Sequence, residues 1–277
     1  EIDIIRIIQT LQIQYRMHPE IAKFASEQFY KGLLIDGVNA EQRQYRIITK
    51  CGQQIIKQVF PWPNPKCPIM FVNSTNEEKK LGTSYLNNTE ANHVEKILTH
   101  LLINGVKAKD IGIITPYKLQ ISCIIDQFKR VADNSQSQNG RGLPYETYQD
   151  VQVASVDAFQ GREKDFIIFS CVRSNERKGI GFLNDPRRLN VAITRARYGL
   201  IIIGNAKCLF SYPLWNNLLV HLQEKHCIIK GQFNNYKEAE IVLKTKMQID
   251  PFLRYRAPDM PDPEKEKQEK EKKASCR

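Results

Sequence analysis

The chain has no apolar run approaching the ~18 residues that a membrane-crossing helix needs, so no membrane partner is expected. Its seven cysteines, Cys51, Cys67, Cys123, Cys171, Cys208, Cys227 and Cys276, are odd in number, scattered and never spaced Cys-x-x-Cys. That pattern argues against a disulfide framework and against a zinc site, and it fits a reducing, cytoplasmic compartment. His221, His226 and Cys227 come nearest to a ligand group, but no second cluster completes a coordination shell, so no metal ligands are assigned. There is no G-x-x-x-x-G-K-[ST] loop and no apolar strand ending in paired Asp-Glu, the parts that cradle β- and γ-phosphates and hold magnesium. No signal peptide is present, and Glu1 is expected to be an internal position of a longer protein.

What is present is an ordinary globular composition, 42% hydrophobic and 26% charged over 277 residues, with length enough for a sizeable core. The net charge of +11 points to a polyanionic partner such as nucleic acid; solvated lysines are the plain alternative. Glu and Lys alternate closely in residues 264–273, so their charges nearly cancel and the basic surplus belongs to the body. The expected organisation is one domain over residues 1–258 and a charged, low-complexity tail over 259–277.

Residues 151–205 organise the rest. Residues 151–156, with Val151, Val153 and Val156, read as a buried strand, and 166–172 form the continuous apolar run that a sheet covered on both faces requires. Between them lies a polar turn around Gly161. Asp185 can cap the next helix, with Pro186 at its first position. That helix is expected to carry Arg187, Arg188, Asn190, Thr194, Arg195 and Arg197, with Leu189, Ile193 and Ala196 on its apolar face. Residues 200–204 close the unit as another buried strand. Earlier in the chain, Ile21, Phe24, Ala25 and Phe29 mark a helix stopped by Gly32, and residues 37–66 read as connection, with Trp62 a loop anchor among prolines. His18, beside Pro19, is expected to be a structural hydrogen-bonding residue. A strand at 68–73 leads to a helix at 88–104, with Thr89 as cap and Gly105 as stop. A strand at 111–117, a helix at 118–131 and a flexible loop at 133–148 follow, and a helix at 213–222 precedes a strand at 227–230. Residues 1–12 suggest a short edge strand. This alternation gives an α/β fold, a mainly parallel sheet with helices on both faces.

Two features carry chemistry. Gly161 lets backbone approach a ligand, and Glu163 can accept hydrogen bonds from a ribose. Arg195 offers a planar, permanently charged group that is bidentate to phosphate. Aimed at a transferring γ-phosphoryl group, such an arginine is worth about 10³ to 10⁵ in rate. A solvated arginine face and an ordinary polar loop are the plain alternatives.

Three stretches resemble motifs of superfamily 1 helicases, in that family's order. Gln14-Tyr15-Arg16-Met17-His18-Pro19 is similar to motif IV, Val156-Asp157-Ala158-Phe159-Gln160-Gly161-Arg162-Glu163-Lys164-Asp165 to motif V, and Asp185-Pro186-Arg187-Arg188-Leu189-Asn190-Val191-Ala192-Ile193-Thr194-Arg195-Ala196-Arg197 to motif VI. Two further stretches, residues 82–90 and 179–186, are most similar to the up-frameshift RNA helicases of nonsense-mediated mRNA decay. The resemblance covers residues 11–233.

It implies the second RecA-like domain of such a helicase, of P-loop NTPase type, supplying half of an ATP site. Arg16 and Arg195 are the expected catalytic arginines, and Tyr15, Gln160, Gly161 and Glu163 the nucleotide contacts. Magnesium and the phosphate loop would belong to a preceding RecA-like domain, so the isolated chain is expected to be inactive. Thr115, Tyr117, Ser155, Arg173 and Asn175 are the candidates for contact with single-stranded RNA. Lys118-Leu119 stands where the family pattern has Glu-Gly, which leaves Lys118 unassigned. Decay factors are the expected partners. A helicase acting on DNA or RNA–DNA hybrids, a non-enzymatic RNA-binding or interaction module, and a plain nucleotide-binding domain are the alternatives.

Overall fold

The apolar runs of the sequence become the middle of one sheet. The computed structural model describes residues 12–48, 51–137 and 143–246. In chain order its elements are β1 (Ile13–Gln14), α1 (Pro19–Phe29), β2 (Ile35–Asp36), β3 (Arg46–Ile48), β4 (Gln54–Ile56), β5 (Ile69–Asn73), β6 (Lys79–Leu81), β7 (Ser84–Leu86), α2 (Asn88–Ile103) and β8 (Ile111–Ile114). There follow α3 (Lys118–Ser137), β9 (Gln152–Ala154), β10 (Lys164–Ser170), α4 (Pro186–Ile193), β11 (Ala196–Gly204), α5 (Ala206–Leu209), α6 (Pro213–Glu224), β12 (Ile228–Lys230) and β13 (Lys237–Glu238). The edge strand expected before Gln12 and the tail at 259–277, with Cys276, lie outside the described residues.

Seven strands pair in the order β13-β12-β5-β11-β10-β8-β9, and every pairing is parallel except β12 with β13. This is the α/β architecture the alternation predicts. Side chains alternate across the central strands. Ile167, Phe169, Leu200 and Ile202 face a core shared with Ile21, Phe24, Leu189 and Trp215, while Phe166, Ile168, Ile201 and Ile203 face one shared with Val94, Leu98, Ile124 and Phe128. Both faces of β10 and β11 are therefore dry, which is why their sequences read as unbroken apolar runs.

Four local expectations change. Residues 151–156 yield only the half-buried β9, because β9 pairs with β8 alone and forms the sheet edge. Residues 37–66 contain an antiparallel hairpin, Arg46 opposite Ile56, with exposed isoleucines that give no core-facing period. The helix after β8 runs on to Ser137, and Tyr145–Tyr148 forms a 3₁₀ turn that buries Tyr148 against Phe128, so less of 133–148 is loop than expected. The cap of α2 is Asn87, whose side chain accepts from the Thr89 and Glu90 amides, two positions before the expected cap Thr89.

Two convergent sites at opposite ends of the sheet

Arg195 and Arg197 are not on the helix assigned to them. Asp185 caps α4 by accepting from the Arg187 amide, as expected, but the helix ends at Ile193, where the Thr194 hydroxyl turns back to the Asn190 carbonyl. Arg195 thus follows the C-cap Thr194 and is the last side chain before β11. Its Nε donates to the Val191 carbonyl at 3.0 Å, its Nη2 to the Thr194 hydroxyl at 2.8 Å and its Nη1 to the Arg162 carbonyl at 3.4 Å. Among the described residues no carboxylate lies within ion-pair distance of it. Burial, and secondly the charge of Arg16, lower its pKa to about 10, so the half-buried guanidinium stays charged at neutral pH without a counter-ion of its own.

Arg16 comes to the same place from far away in the chain. Gln14 shapes the turn that delivers it: its side-chain oxygen accepts from the Arg16 and Met17 amides, and its amide nitrogen donates to Met17 and Asp36. The His18 amide donates to the Arg197 carbonyl, pinning the turn to the start of β11. His18 itself caps α1 through Nδ1, which accepts from the Glu20 amide, and burial lowers its pKa, in keeping with a structural role. Arg16 Nε then donates to Glu163 Oε2 at 2.6 Å and Nη1 to the Thr194 carbonyl at 3.2 Å. The hydrogen bond from Arg16, opposed by partial burial, holds the Glu163 carboxyl below its ordinary range. Arg197 lies 4.0 Å from Glu163 and 3.6 Å from Asp165. Three guanidiniums thus face two carboxylates, and positive charge is left over at the amino ends of β10 and β11.

The remaining nucleotide candidates surround this charge. Gly161 has φ +78° and open space where a Cβ would stand, so the turn that carries Gln160 and Glu163 requires glycine. Tyr15 is 64% exposed, with one edge of its ring resting on Gly37, where a Cβ would collide with it. Arg43 Nε donates to the Arg16 carbonyl at 2.8 Å and its Nη2 to the Tyr15 carbonyl, so Arg43 holds both residues from behind. Nothing in the sequence around Arg43 marks it for that task. Gln14 and Arg197 were legible only as members of the longer motifs.

The nucleic-acid candidates gather at the other end. The carboxyl termini of β8, β9 and β10 bring together Thr115, Ser155 and the loop 172–175; Thr115 donates its amide to Ala154. β10 has seven residues, so at ~3.3 Å per residue the two sites stand ~20 Å apart. Three of the five candidates are covered. Arg173 is 3% exposed: its Nε donates to Glu78 at 3.0 Å and its guanidinium lies 4.2 Å from the Tyr85 ring, so it is not free to meet phosphate. Tyr117 is buried beneath the following loop, its hydroxyl reaching the Ile180 carbonyl, and the Thr115 hydroxyl is buried without a partner. Ser155 and Asn175 keep polar surface. Asn175 borders a cleft of about 700 Å³ whose lining mixes Glu77, Glu78 and Glu176 with Arg177 and Lys207.

The loop above β10 is held by two buried carboxylates. Glu78 accepts from Arg173 and from the Ser174 and Asn175 amides. Glu90 accepts from the Ser170 hydroxyl at 2.6 Å and the Val172 amide at 2.9 Å, with Val172 at φ +70°, a conformation a β-branched residue rarely adopts. Burial raises the Glu90 pKa to about 8.

A profile of the AAA domain family matches residues 4–207. The chain is 52% identical over 227 residues to a regulator of nonsense transcripts 1 homolog of Neurospora crassa, covering 81% of this chain and 19% of that protein. It is 48% identical over 241 residues to the Arabidopsis thaliana homolog, covering 86% and 18%. It is 46% identical over 235 residues to the ATP-dependent helicase NAM7 of Saccharomyces cerevisiae, covering 84% and 22%. The chain thus spans about a fifth of the length of the relatives it matches.

Proposed function

Since this chain belongs to the AAA domain family, we propose that it is the second RecA-like half of an ATP-dependent RNA helicase motor acting in mRNA surveillance. The observation that carries the reading is the Arg195 guanidinium, half-buried, charged and without a carboxylate, set beside Arg16 at one end of the sheet. A cation held that way is stabilised by an arriving anion, and a triphosphate supplies one with the geometry that guanidinium forks match. The polar groups present fit such a ligand. Arg195 would stabilise charge developing on the γ-phosphoryl group, and Arg16 would exchange Glu163 for a phosphate oxygen. Tyr15 would lie against the nucleoside, while Gln160, the Gly161 amide and Glu163 would face the ribose.

The magnesium that accompanies ATP, and the loop that cradles its phosphates, are assigned to a partner RecA-like domain. Magnesium when bound neutralises phosphate charge; this chain contributes arginines. Approach of the partner domain would bring the triphosphate against Arg16 and Arg195, and hydrolysis would release it. Single-stranded RNA would cross the carboxyl ends of β8, β9 and β10, where Ser155 and Asn175 offer backbone contacts that are independent of sequence. α4 lies between the two sites, with Arg188 near its first turn and Arg195 two residues past its end, so a shift at the nucleotide end would be passed toward the RNA end. Decay factors are the partners we assign, and the free cysteines support a cytoplasmic place.

The test is ATP hydrolysis by the full-length protein with and without single-stranded RNA. Arg195→Ala should lower stimulated kcat by about 10³-fold or more with RNA affinity retained, and the isolated chain should not hydrolyse ATP. Wild-type turnover in the variant would remove the arginine from the mechanism.

A further inference from the structure

Phe182 is an aromatic side chain held out of the core by its neighbours. It lies in the 3₁₀ turn Gly181–Asn184, with Ile180 and Leu183 buried on either side of the Gly181–Phe182 step. Both anchors are bonded: the Ile180 amide donates to the Tyr212 hydroxyl at 3.2 Å, and Trp215 Nε1 donates to the Leu183 carbonyl at 2.8 Å. Gly181 has φ +57°, and its Cα passes so close over the Tyr117 hydroxyl that a Cβ would stand 2.9 Å from it. A segment fixed this firmly leaves Phe182 51% exposed.

The ring is backed by a cation. Arg188 places its guanidinium carbon 4.8 Å from the Phe182 centroid, and that guanidinium is fixed by two hydrogen bonds to Asp157, from Nε at 3.1 Å and Nη2 at 3.0 Å. Tyr117 supports the ring from another side, with centroids 5.9 Å apart at 60°. Pro116 and Val156 line the crevice beneath it, which sets Phe182 against the carboxyl ends of β8 and β9, beside the RNA track assigned above. Rigid aromatic rings next to a backbone-gripping groove are how proteins hold single strands, since every base has a π-face and stacking needs no sequence. A guanidinium behind the ring, its charge already paired with Asp157, fixes the ring's orientation rather than supplying a phosphate contact.

We propose that Phe182 is a stacking platform for one base of the bound RNA strand, with Arg188 as its backing cation. The inference rests on the RNA-track reading and adds the base contact that the track lacks. Asp157 opens the connection from β9 to β10 that further on carries Gly161 and Glu163, so the platform is linked through Arg188 and that connection to the nucleotide end of the sheet.

The test compares an oligouridylate with an abasic strand of the same length in binding to the full-length protein. The wild type should prefer the oligouridylate. Phe182→Leu, which keeps an apolar side chain and removes the ring, should lose on the order of tenfold in affinity for oligouridylate and little for the abasic strand. Phe182→Trp should keep oligouridylate affinity, and its indole emission should be quenched on binding. Equal losses on both strands would mark a structural effect and overturn the proposal. So would unchanged oligouridylate affinity, the result expected if the ring serves a protein partner. Failure of the wild type to bind either strand would instead remove the RNA track, and the platform with it.

Discussion

Replacing Glu90 by Gln should flatten a pH dependence of stability that this one carboxyl creates. Glu90 stands three residues after the cap Asn87, the place from which a glutamate ordinarily reaches back to the cap amide. Here Gln120 accepts from the Asn87 amide at 2.7 Å instead, which frees Glu90 to turn inward beneath the loop 172–175. Its Oε2 takes both the Ser170 and Val172 bonds, and its Oε1 has no partner. Burial outweighs those bonds and, with Glu78 also opposing ionisation, raises the pKa from 4.5 to about 8. The unfolded chain ionises this group near 4.5. Between those values the folded chain holds a proton that the unfolded chain lacks, so stability falls as pH rises, by ~1.4 kcal/mol per unit. Below 4.5 and above 8 the contribution is flat. In urea unfolding of the 277-residue chain at several pH values between 5 and 8, wild-type stability should therefore drop relative to Glu90→Gln as pH rises. Parallel profiles for the two proteins would show that the carboxyl stays ionised in the fold and would refute the reasoning.

Gly37→Ala places a methyl group in the Tyr15 ring and should raise the KM for ATP in the full-length protein more than it lowers kcat. An unchanged KM would detach Tyr15 from the nucleotide. Thr115→Val removes a buried hydroxyl that has no partner, so the chain should keep its unfolding midpoint or gain up to ~1 kcal/mol. RNA affinity should hold as well, since the side chain is covered, and a large loss of affinity would return Thr115 to the track.

The sheet was legible because its strands are covered on both faces. Residues 166–172 and 200–204 could hardly be anything else, and Pro186 behind Asp185 fixed the start of α4. The edge strand β9 and the hairpin β3–β4 were misjudged for the converse reason: an exposed strand obeys no strong period, so its isoleucines and valines say little about burial. The site was legible only in part. Arg16 and Glu163 are far apart in the chain, and no spacing rule predicts that they pair; the motif resemblance supplied both. Arg43 and Gln14 act through backbone atoms of the turn they hold, which leaves no trace in charge patterning. Arg173 is a candidate for RNA contact by sequence, but Val172 turns the loop back on itself and Glu78, from a run that looks like exposed surface, closes over it.

The account stands on two arginines from distant parts of the chain meeting one phosphate group. A structure of the full-length protein with RNA and ADP·aluminium fluoride tests that directly. The guanidiniums of Arg16 and Arg195 should both lie within ~3 Å hydrogen-bonding reach of the aluminium fluoride, with the Arg16–Glu163 bond opened. If the analogue binds with Arg195 still bonded only to Val191, Thr194 and Arg162, and Arg16 still on Glu163, the motor assignment of this site is wrong.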